Sequence, residues 1–131
     1  MADDDRERLR DLSSRVVRLH KLLLDRERHA YEALHGPIPP GQMFRLVLHG
    51  EQFAWLRALS AMIARIDDRV DAEEPISKDD VQAMFGAAYR LLKSGGSGEF
   101  QDKYRTALQE SPDVVMAHAD VSRLLLAPPS P

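Results

Sequence analysis

The sequence predicts an all-α protein: a single-domain helical bundle of four to five helices with one additional short helix over residues 1–127, then a disordered proline-rich tail at 128–131. Three observations predict it. Apolar residues recur at spacings of three and four along most of the chain, which is the period of one helix face. No segment alternates apolar and polar residues with β-branched enrichment, the pattern of a strand. Glycine and proline gather at a few points that cut the chain into pieces of helix length. A length of 131 residues suits one domain, with no internal repeat to divide it.

Residues 6–35 hold no glycine or proline and read as one long helix. Leu9, Leu12, Val16, Leu19, Leu23, Ala30 and Leu34 form its apolar stripe, interrupted by Arg26. Asp3, Asp4 and Asp5 put negative charge at its start, where the helix dipole favours it. A second line of Val17, Leu24 and Tyr31 implies neighbours on two sides and offers a dimer seam. Gly36-Pro37 ends this helix, and Pro39-Pro40-Gly41 makes a rigid connector to a short apolar helix at 42–49.

From Glu51 to about Asp71 runs a second long helix, striped by Phe53, Leu56, Ile63, Ile66 and Val70 and widened by Trp55, Leu59 and Met62. Its narrow polar remainder marks it as the central, most buried element. Ser77 then caps a third helix, with Asp80 placed to reach back to it; Val81, Met84, Phe85, Ala88 and Leu92 form the stripe. Ser94 to Gly98 is a flexible glycine–serine stretch. A fourth helix takes Phe100, Tyr104, Ala107 and Leu108. Ser111-Pro112-Asp113 starts a fifth, with Val114, His118, Val121 and Leu125 on one face.

Composition excludes several classes of chemistry. With no cysteine, disulfides, thiolate nucleophiles, iron–sulfur clusters and zinc fingers are ruled out. A net charge of −3 gives no bulk attraction to nucleic acid or anionic lipid. The acidic start Met-Ala-Asp-Asp-Asp is unlike a secretory signal, and the richest apolar run, Phe53 to Ile66, is broken by Arg57, Ser60 and Arg65. A cytoplasmic location is the expectation. Eight of the chain's 18 basic residues lie in residues 1–35, but eight acids share that segment, and pairs such as Asp4/Arg8 and Asp11/Arg15 have helical i, i+4 spacing. That describes a solvated charged face rather than a nucleic-acid site. No nucleophile elbow, Ser-x-x-Lys pair or phosphate loop occurs.

Phe53-Ala54-Trp55-Leu56-Arg57-Ala58-Leu59-Ser60 and Ser111-Pro112-Asp113-Val114-Val115-Met116-Ala117-His118 resemble segments of a group of small, uncharacterised bacterial all-helical proteins. The resemblance runs from Leu19 to Leu125. It implies a bacterial helical protein and brings no activity, cofactor or site residue with it.

Three constellations bear on chemistry. Glu32-Ala33-Leu34-His35 is one half of a di-iron pattern whose second Glu-x-x-His pair is missing, and His35 stands where a histidine satisfies closing carbonyls. His20, Glu27 and Tyr31 share a face of the first helix, and His118 lies on the apolar face of the fifth. If these faces meet, they form either a polar network that fixes helix register or a ligand site for a divalent metal, haem or small molecule. His29 and His49 read as surface residues. Asp67, Asp68 and Asp71 have the spacing of the Asp-Asp-x-x-Asp element that binds magnesium in helical prenyl-transferring enzymes, without the second acidic motif those enzymes carry. At a helix C-terminus these acids oppose the dipole, with Arg65 and Arg69 near enough to offset them.

The expectation is a non-enzymatic helical bundle acting through protein–protein contacts, with a protein partner or self-association, no nucleic acid, no membrane and no cofactor. The alternative is a ligand, haem or metal-binding bundle using His20, Glu27, Tyr31 and His118.

Overall fold

The computed structural model describes residues 2–93 and 95–126, with side chains from residue 4 onward, and every regular element among them is helical. In order these are α1 (Ala2–His35), α2 (Pro40–His49), a 3₁₀ segment (Glu51–Leu56), α3 (Arg57–Asp71), α4 (Lys78–Leu92), α5 (Glu99–Glu110) and α6 (Pro112–Leu126). None of these helices is long and apolar enough to cross a membrane. The tail expected at 128–131 lies outside the described residues.

The hub is α1, which packs against the 3₁₀ segment, α3, α4 and α6. Leu9, Leu12, Val16, Leu19 and Leu23 are completely buried along it, and each stabilises the fold by roughly 2 kcal/mol on transfer from water. This corrects the expectation that residues 51–71 form the central element, because α3 leaves Ser60, Ala61, Ala64 and Arg65 in solvent. The stripe of α1 also stops short of its predicted end. Ala30 and Leu34 are exposed, Leu34 by 79%. Length is the reason: 34 residues make a helix of about 50 Å, whereas α3 and α6, with 15 residues each, reach only about 22 Å.

The second line of α1 does not form a continuous seam. Leu24 packs on the rim of the core, Tyr31 lies beside Phe53 and His35, and Val17 alone is exposed. Arg26, which interrupts the main stripe, pairs with Glu110 at the end of α5. Asp11 and Arg15 form the expected ion pair at 2.9 Å; Arg8 instead lies over the Phe85 ring, 4.6 Å from its centroid.

Residues 51–71 divide into a 3₁₀ segment and α3 rather than running as one helix. Three residues per turn bring Phe53 and Leu56 onto one line, and both are buried together with Trp55. Gly50 separates α2 from the 3₁₀ segment: a Cβ there would sit 2.7 Å from the Leu46 carbonyl oxygen. Its own carbonyl accepts from Arg57 at 2.9 Å. The short helix begins at Pro40, not 42, because proline suits the first helical position, where no donor is needed. α2 packs on the 3₁₀ segment, and its Met43 is buried with Phe53 outside the main cluster.

Both predicted serine caps form. The Asp80 N–H donates to Ser77 Oγ at 3.0 Å and the Val114 N–H to Ser111 Oγ at 3.2 Å. Gly36 ends α1 in a left-handed conformation, φ 81°, and donates to the Glu32 carbonyl at 2.7 Å. His35 lies against the Tyr31 ring, tilted by 35°, instead of serving those carbonyls. The C-terminus of α3 is held from α1. Arg6 donates to the carbonyls of Val70, Ala72 and Glu74, the last two at 3.0 and 3.1 Å.

Candidate functional site

The structure sends the polar residues singled out on α1 to two places. Glu27, on the half-buried flank of α1, faces the 3₁₀ segment. Its Oε1 accepts from the Trp55 indole at 3.0 Å and its Oε2 from Gln52 at 2.9 Å. One carboxylate thus pins the 3₁₀ segment to α1 through two of its side chains. Two turns earlier, His20 Nε2 is hydrogen-bonded to Ser60 Oγ of α3 at 2.8 Å, and burial holds its imidazole below the ordinary value. At neutral pH this histidine is therefore uncharged. Tyr31 lies against His35 in a tilted arrangement, centroids 4.3 Å apart, and approaches Phe53 at 6.2 Å.

His118 has a different partner. On α6 its Nδ1 meets the Tyr104 hydroxyl of α5 at 2.6 Å. Tyr104 is buried, and that burial pushes its phenol well above its usual range. Burial, and secondarily the Lys93 ammonium, hold His118 below its ordinary value. A phenol that keeps its proton can donate it in a hydrogen bond to Nδ1, and in that tautomer the neutral imidazole carries its hydrogen on Nε2. Rings run from there into the core: Tyr104 to Phe100 at 5.4 Å and Phe100 to Trp55 at 5.5 Å, ending at the Glu27 carboxylate.

The Tyr104–His118 pair lines an open cleft of about 170 Å³ between the end of α4, α5 and α6. Its walls are Leu91, Leu92 and Leu108; its polar lining is Lys93, Gln101, Arg105 and the pair itself, with no carboxylate among them. Sequence reasoning found His118 but missed Tyr104, Lys93, Gln101 and Arg105 as its neighbours. Lys93 stands just before a glycine–serine stretch that reads as a connector, and Arg105 falls on a polar face, so no local signal singled them out.

The third constellation divides as well. Asp67 accepts from the buried Ser13 of α1 at 2.5 Å, while Asp68 and Asp71 are exposed. Arg69 does not offset these acids. It pairs with Asp80 at 2.6 Å and holds that carboxyl below the usual range; Arg6 serves the helix end instead. Among the described residues, no three His, Asp or Glu side chains are grouped so as to hold one metal ion. His29 and His49 are exposed, as expected.

The chain matches no protein-family model, no curated protein and no solved structure.

Proposed function

We propose that this chain is a non-enzymatic helical bundle that works through protein–protein contacts, with α2 as the contacting element. The observation that carries this reading is the exposure of Phe44 (65%) and Leu48 (47%), one turn apart on the same face of α2. Of the ten residues in α2, only Met43 is buried. Leaving an aromatic and a leucine this exposed forgoes about half of the roughly 1.5–3 kcal/mol that full burial of each would bring. Anchors at i and i+4 on a short helix match the way a helix enters an apolar groove on another protein. This moves the contact from the seam expected on α1 to the short helix that follows it.

A photo-crosslinking residue in place of the exposed Arg45, beside Phe44 on α2, combined with sedimentation velocity at high concentration, tests the reading. Expected is either a discrete adduct or concentration-dependent association, each abolished by Phe44→Ser/Leu48→Ser. A chain that sediments as a monomer at every concentration and gives no adduct would overturn it.

A further inference from the structure

We propose that the cleft between the end of α4, α5 and α6 is a binding site for a small organic carboxylate with an apolar or aromatic body. The site is separate from the exposed face of α2, so the two proposals stand or fall independently.

The lining sets the charge of the ligand. Lys93 brings an ammonium that makes no ion pair among the described residues, and Arg105 a guanidinium shared only at 3.4 Å with Asp102. His118, in the tautomer whose Nδ1 accepts from Tyr104 at 2.6 Å, has an Nε2 hydrogen to donate. The Gln101 amide adds two more hydrogens. Donors and cations without an acid among the lining residues form a receptor for an anion.

Shape and wall chemistry set the rest. A cleft of about 170 Å³ is smaller than the usual pocket for a drug-sized ligand, but a cavity on the order of 150 Å³ holds one benzene ring. Three leucines in the lining, two from α4 and one from α5, exclude water from the body of such a ligand. A hydrated inorganic anion would gain nothing from them. One negative charge on an apolar body uses both halves of the surface.

The test is an NMR titration of the full ¹⁵N-labelled chain with sodium benzoate, with benzamide as the neutral isostere and inorganic phosphate as the anion without a body. Expected are saturable shifts confined to amides around residues 91–93, 101–108 and 115–121, at benzoate concentrations on the order of millimolar. Lys93→Met and Arg105→Gln should each weaken binding about tenfold, the loss of one charge-assisted contact. Lys103→Met, on α5 but paired with Glu99, should leave it unchanged. Arg105 is exposed and Lys93 half-buried at the end of α4, and their variants should keep the wild-type spectrum; Lys93→Gln repeats the test with a polar replacement. Three outcomes would overturn the proposal: no saturable shift with benzoate, equal affinity for benzamide, or phosphate binding as tightly as benzoate.

Discussion

Trp55 donates its indole N–H to Glu27 at 3.0 Å, tying α1 to the 3₁₀ segment across 28 positions of sequence. Trp55 is buried and Glu27 half-buried, and the second carboxylate oxygen is taken by Gln52. The bond therefore acts where water competes poorly, and its donor serves an ionised acceptor. Trp55→Phe should lower unfolding stability by about 2 kcal/mol, part from the lost charge-assisted bond and part from lost area. A double-mutant cycle with Glu27→Ala, read by chemical denaturation, should show a coupling of about 1–2 kcal/mol. Additive effects would mean that the two side chains stabilise the fold separately.

Stability should fall as pH drops below the ordinary histidine value of 6.5. Burial depresses both His20 and His118 in the folded chain, so the unfolded chain binds protons first. The stabilisation is fully present above pH 6.5 and is lost as pH falls through the depressed values. Thermal melts between about pH 5 and 8 should rise and then level off, and His20→Gln with His118→Gln should flatten that rise. Asp80, held low first by Arg69 and to a lesser degree by Ser77, adds a slope of the same sign, but only below its ordinary value of 3.8.

Arg6 carries the C-terminus of α3. Three carbonyls and the negative end of a helix dipole converge on one guanidinium. Arg6→Ala should cost about 1–3 kcal/mol in urea unfolding. Arg6→Lys should recover less than half, because an ammonium keeps the charge but cannot reach three acceptors in a fan.

Ser122 is a place where the fold can be improved. Its hydroxyl is buried on α6 and has no hydrogen-bond partner among the described residues. Ser122→Ala removes an unsatisfied polar group and raises helix propensity, so unfolding stability should increase by about 1 kcal/mol. A lower melting temperature would show that the hydroxyl has a partner that matters.

Local pattern determined much of this protein. The stripe from Leu9 to Leu23, the caps at Ser77 and Ser111, the stop at Gly36 and the buried faces of α4, α5 and α6 all follow from residues within a turn or two of one another. Helix period, capping and backbone conformation are short-range physics, so they can be read from adjacent letters. The tertiary structure decided everything that depends on how far a neighbour reaches. Leu34 is exposed because α3 and α6 are shorter than α1, and residues 51–56 form a 3₁₀ turn where Glu27 clamps them from outside their own helix. The polar residues on α1 and α6 were visible as candidates, but their partners were not. His20 meets Ser60 and His118 meets Tyr104 because helix packing, not sequence spacing, sets which side chains share a low-dielectric space.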